Sequence, residues 1–224
     1  MFHLPPMLVA GLTGFVSGFL LSVPVGPINF TIINEGARRG FRWAFLIGLG
    51  AVVMEVVYCA LAFTGFASFF TRGYVKAAME LFSFVFMLFL GVKFLLARSI
   101  PAATQIETRI EESIHPHSAF MTGFVRVMGN PGVFAFWIIL AANFISREWV
   151  RPQFLSKLTC IGGVAAGTSL WFLGLSWAIS LGHKKFNEQT LLRMEHFSGL
   201  GLLLIAFAHG LLIIREMAHY NHAL

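Results

Sequence analysis

Apolar residues run along this chain in six long stretches, at 8–33, 43–70, 77–97, 127–145, 158–181 and 197–214, separated by short polar segments. A helix needs roughly 20 residues, with a range of about 17–25, to cross a bilayer, so the pattern predicts an all-α integral membrane protein with six transmembrane helices. No Asp, Glu, Lys or Arg occurs before Glu35. The N-terminal residues also lack the basic stretch of a secretory signal, and the first run is expected to be a retained span. The longest polar connection, about residues 98–118, falls far short of the roughly 50 residues a separate domain needs.

Two of the six stretches carry matching interruptions. Pro24 and Pro27 bracket Gly26 in the first, and Asn130, Pro131 and Gly132 follow one another in the fourth. Each proline removes a backbone donor and opens the helical ladder. The segment from Gly18 to Pro27 also echoes the segment from Gly123 to Pro131 to within one residue. Three crossings reverse the side on which the next helix starts, so a three-helix repeat must recur upside down. The expected plan is two inverted repeats, residues 1–98 and 119–224, joined by a cytoplasmic linker at 99–118, with helices 1 and 4 broken at their Gly/Pro motifs.

Composition agrees: 57% of the residues are hydrophobic and 12% charged, against about 25% charged in ordinary globular chains, and mean hydropathy is +0.78. The net charge of +6 comes from short clusters between apolar runs, as in loops facing anionic headgroups, and nucleic-acid binding is rejected. With the N-terminus outside, Arg38, Arg39, Arg42, Lys93, Arg98, Arg109, Arg126, Lys184, Lys185 and Arg193 fall on the cytoplasmic side. Arg72, Lys76, Arg147, Arg151, Lys157 and Arg215 then fall outside. Ten against six favours both termini outside. Cys59 and Cys160 lie within apolar runs and are expected to be small buried hydrophobes.

Candidate chemistry is sparse. Glu55 is the acid set deep in an apolar run, where a carboxyl either carries a proton or serves as counter-ion to a cation; a purely structural carboxyl would bond a backbone carbonyl or Tyr58. Pro24, Gly26, Pro27, Asn29, Asn130 and Pro131 are candidate substrate-binding positions, because freed carbonyls and half-helix ends line a cavity in such folds. The amides of Asn29 and Asn130 can serve a carboxylate or an ammonium. Thr168 and Ser169, which stand in the second half about where Glu55 stands in the first, are candidate substrate-binding positions too, although such hydroxyls more often pack helices. His209 is a candidate proton relay. His115 and His117 lack a third ligand for a metal. The nearest approach to a phosphate-binding loop, residues 162–169, has Thr168 where the Lys belongs, so no cofactor is expected, and the steps Gly14 to Gly18 and Gly163 to Gly167 are expected to pack helices.

Pro24-Val25-Gly26-Pro27-Ile28-Asn29, Gly36-Ala37-Arg38-Arg39-Gly40, Gly50 with Glu55 five residues on, and Gly91-Val92-Lys93 resemble the first repeat of the LysE/RhtB family of amino-acid exporters. Gly123-Phe124 and Asn130-Pro131 resemble the second repeat. The resemblance implies proton-driven export of amino acids or derivatives from the bacterial cytoplasm, with metal-ion transport among wider relatives. Glu55 stands where the family usually has Asp, and Met54 where it usually has Gly. The expected function is therefore export of a small amino acid or related zwitterion through the cytoplasmic membrane, by proton antiport. A heavy-metal cation exporter on the same scaffold is the alternative, and a membrane enzyme or assembly protein a more distant one. Protons, the substrate and the bilayer are the expected partners, with a homo-oligomer left open.

Overall fold

The computed structural model describes residues 5–24, 26–66, 73–98, 105–114, 118–182 and 188–221. These are helical, with no strand among them. Helix α1 (Pro6–Ser22) ends ahead of Pro24, and α2 (Pro27–Arg39) begins on a proline, whose missing N–H has no intrahelical partner to lose at that position. The two axes bend by 68° at this break. Gly40 ends α2 at a positive φ of 86°, open to glycine at no Cβ penalty. Helix α3 (Phe41–Leu61) then runs on into a π-turn at Ala62–Phe66.

Helix α4 spans Gly73–Leu95, and the short α5, Gln105–Ile114, carries the acidic linker sequence. In α6 (Ala119–Met128) the hydroxyl of Ser118 accepts from the Met121 N–H at 3.2 Å, an N-cap. Helix α7 (Pro131–Ser146) follows after a second break, with a 66° bend. Helices α8 (Phe154–Ser180) and α9 (Glu188–Asn221) complete the chain. Both breaks thus fall at the Gly/Pro motifs. By length and composition, three helices can each cross a membrane, at Phe41–Thr64, Phe154–Ser180 and Leu192–Arg215, or five spans in all if each bent pair is one. The described apolar part of α4, Phe84–Leu95, is shorter than a span.

Two boundaries differ from the sequence pattern. The fourth stretch is preceded by α6, which belongs to the broken pair even though Arg126 interrupts its apolar run. The sixth is the centre of a much longer helix, because no Gly or Pro between Glu188 and Phe197 stops it upstream.

Small residues bring the helices together. Gly14 and Gly18 on α1 sit against the backbone of Cys160 and Val164 on α8, while Gly163 and Gly167 on α8 sit against the backbone of Gly11 and Phe15 on α1. A Cβ at Gly18 would lie 2.6 Å from the Val164 carbonyl oxygen. The other half repeats the arrangement with roles exchanged: Gly123 on α6 abuts the Ile47 carbonyl of α3, and Gly50 on α3 abuts the Phe120 carbonyl of α6. Gly163, Val164 and Gly167 are accordingly a packing face, as expected of small residues between membrane helices. Gly91 and Gly199 join α4 to α9 in the same way. Cys59 and Cys160 are buried and unpaired with each other.

Candidate functional site

Unwinding a helix inside an apolar domain leaves carbonyls and amides that must find partners. At the first break the Asn29 side chain, fully buried, supplies them: its Nδ2 donates to the carbonyls of Ser22 at 2.8 Å and Pro24 at 2.6 Å. Its Oδ1 accepts from the indole Nε1–H of Trp171 on α8 at 3.2 Å. One turn earlier on α8, the Thr168 hydroxyl donates to the Gly18 carbonyl at 3.2 Å. Thr168 and Trp171, three residues apart on one helix face, therefore hold α1 and α2 on either side of their break.

The second break is held by the same device with different residues. Tyr58 on α3 donates its hydroxyl proton to the Met128 carbonyl, the end of α6, at 2.7 Å. Three residues before it, Glu55 accepts a hydrogen bond at Oε2 from the Nε1–H of Trp137 on α7. Glu55 is thus partnered by Trp137, and Tyr58, its expected structural partner, is engaged elsewhere. Asn130 takes a role opposite to that of Asn29. Its Oδ1 accepts from the Gly132 and Val133 amides at 3.0 and 3.3 Å, capping α7, whereas the N-cap of α2, Gly26, offers no side-chain cap.

Between the breaks lies a cavity of ≈ 340 Å³, near the lower end of the roughly 300–1,000 Å³ of small-molecule sites. Pro24, Gly26, Pro27, Asn29, Asn130 and Glu55 line it, from the expected set. Pro131, Thr168 and Ser169 do not: Pro131 is exposed at the start of α7, and Thr168 is buried in the α1–α8 contact. The side chain of His209, and His115 and His117, lie outside the described residues. Among the described residues no group of three His, Cys, Asp or Glu is placed to hold a metal.

Four groups in the cavity wall were not among the expected site residues. Trp137, 1% exposed, orients Glu55. Lys93 on α4, Arg126 on α6 and Glu195 on α9 also line the cavity, and Glu195 is only 2% exposed. The rest of the wall is largely apolar, with Phe86, Leu90, Phe94, Phe136 and Phe172. A space with two acids and two bases set in aromatic and aliphatic surroundings suits a molecule that carries both charges and an apolar body. The uninterrupted helix-forming sequence upstream of Phe197 was the available signal for Glu195; Arg126 stands one residue outside its apolar stretch.

Residues 19–215 match the family described as LysE type translocator. The chain is 26% identical over 206 residues to YcgF of Bacillus subtilis, named for amino acid efflux, covering 92% of this chain and 97% of that protein. It is 24% identical to the chemotactic transduction protein ChpE of Pseudomonas aeruginosa, over 90% of this chain and 97% of the other. It is 27% identical to a leucine efflux protein of Klebsiella pneumoniae, over 60% of this chain and 62% of the other. No solved structure matches the chain. With the family match covering most of the sequence and bridging both helix breaks, the chain belongs to the LysE-type translocators, multi-pass transport proteins of bacterial membranes and not enzymes.

Proposed function

We propose that this protein exports an amino acid or related zwitterion with an apolar side chain from the cytoplasm, in exchange for protons. The observation that carries the reading is the cavity between the two helix breaks, where Glu55, Glu195, Lys93 and Arg126 share an otherwise apolar wall. The substrate carboxylate is received by Lys93 and Arg126 with the uncapped N-terminus of α2, where backbone N–H groups and the helix dipole favour an anion. The ammonium is received by Glu55 and Glu195, and Glu55 alternates between that cation and a proton. The names of two relatives, for amino acid and leucine efflux, support the substrate class.

The architecture proposed with this function is six crossings in two inverted repeats, residues 1–98 and 119–224, with 99–118 cytoplasmic and both termini outside. The reciprocal packing of α1 on α8 and α6 on α3 supports it, as do the paired clamps of Glu55 with Tyr58 and Thr168 with Trp171. The test is efflux from proteoliposomes loaded with labelled L-leucine, L-phenylalanine, L-lysine or a divalent cation, with and without a pH gradient. Gradient-stimulated efflux of the apolar amino acids is the expected result. Movement of the cation alone would replace this reading with that of a metal exporter.

A further inference from the structure

A second cavity, of ≈ 480 Å³, lies against the first. Four side chains, Leu20, Leu21, Phe136 and Leu202, line both spaces. They belong to α1, α7 and α9 and form an apolar septum between the chambers. The second space extends along α1 toward its N-terminal half, past Ser17 and Thr13 to Val9, and along α7 to Asn143 and Arg147 at its C-terminal end. Its wall is almost wholly apolar. Thr13 turns its hydroxyl to the Val9 carbonyl, and Asn143 donates to the Ile139 carbonyl. Among the described residues Arg147 is the charged group in this wall, at the end of the space remote from the septum. A guanidinium has five N–H donors in a fork that fits a carboxylate, so Arg147 can hold a protein neighbour and a ligand together.

We propose that this second chamber is a release-side subsite on the same path, in which Arg147 receives the carboxylate of the substrate after it passes the septum. The inference rests on the transport reading above and on its orientation, which puts the N-terminus of α1 and the α7–α8 turn outside. An amino acid leaving the first cavity meets an apolar wall that accommodates its side chain and the Arg147 guanidinium, which orients its carboxylate outward.

Accessibility tests the subsite without requiring transport. Ser17→Cys puts a thiol of nearly the same size in the second chamber, while Cys59 and Cys160 are buried and serve as the unreacted background. In right-side-out membrane vesicles an impermeant maleimide should label Ser17→Cys, and external L-leucine or L-phenylalanine should slow the labelling. Adding Arg147→Gln should raise the concentration needed for protection about tenfold, the scale of one charged hydrogen bond, and Arg147→Lys should raise it less. Absence of labelling from outside, absence of protection by either amino acid, or equal protection in Arg147→Gln would each overturn the subsite. Protection without any efflux from loaded proteoliposomes would leave the subsite standing and remove the transport reading; efflux without protection would do the reverse.

Discussion

Trp137 on α7 donates its indole N–H to the carboxyl of Glu55 on α3, joining two helices from opposite halves of the chain at the wall of the central cavity. Both side chains are buried, Trp137 nearly completely. A charged or titrating carboxyl inside a membrane domain needs a polar partner, and the indole supplies a donor with no acceptor of its own. It therefore fixes one carboxyl oxygen, and in the proposed mechanism the other takes a proton or an ammonium.

Glu55→Gln keeps the shape and much of the hydrogen bonding of the protonated carboxyl but cannot titrate. Efflux driven by a pH gradient should fall to background, while exchange between equal pools of substrate persists. Glu55→Asp should retain gradient-driven efflux with altered affinity. Proteoliposome assays with and without a gradient separate these outcomes, and full gradient-driven activity in Glu55→Gln would move proton coupling to another group.

Trp137→Phe removes the indole donor and leaves Glu55 without its hydrogen bond. Loss of a charged hydrogen bond is worth about 1.5 kcal/mol or more, so gradient-driven efflux should fall about tenfold and its pH profile should change. A pH profile unchanged from wild type would show that Trp137 only packs.

Asn29 satisfies two carbonyls and an indole at the first break. Asn29→Leu should leave all three without partners and destabilise the protein by about 2–4 kcal/mol, since each buried group left unpaired costs about 1–3 kcal/mol and some will find new partners. The thermal midpoint in detergent should drop accordingly. A variant with normal stability but weakened substrate affinity would make Asn29 a ligand-binding group and not the lock of the break.

The glycine crossings give a contrast within one helix. Gly163→Leu should abolish stable expression, because its Cβ would enter the backbone of α1, whereas Gly162→Ala and Gly174→Ala, which face open space, should express normally. Fluorescence-detected size-exclusion chromatography of the three variants provides the comparison.

Orientation is open to a direct measurement. Thr108→Cys on α5 should be labelled by an impermeant reagent only after cells are permeabilised, and Glu148→Cys in the α7–α8 turn should be labelled in intact cells. Both positions are exposed. The reversed pattern would invert the proposed topology and make the Arg147 chamber face the cytoplasm.

The sequence by itself determined that this chain belongs in a membrane and where two of its helices break. Those properties are local: hydropathy over about 20 residues and the missing donor of proline act without reference to the rest of the fold. Glu55 was legible for the same reason, as a charge inside an apolar run. The partners of that charge were not. Trp137 is 82 residues away in sequence, and its indole resembles any other apolar-run aromatic until α3 and α7 meet. Thr168 was matched to Glu55 by position, but in the tertiary structure it donates to the Gly18 carbonyl, as Tyr58 does to that of Met128, and stays out of the cavity that Glu55 lines. Lys93, Arg126 and Glu195 stand at the ends of their apolar stretches, where sequence alone makes them interfacial charges. Only the packing of α4, α6 and α9 around the breaks turns them toward one cavity, because which side of a helix faces a neighbour is decided by close glycine contacts between distant segments.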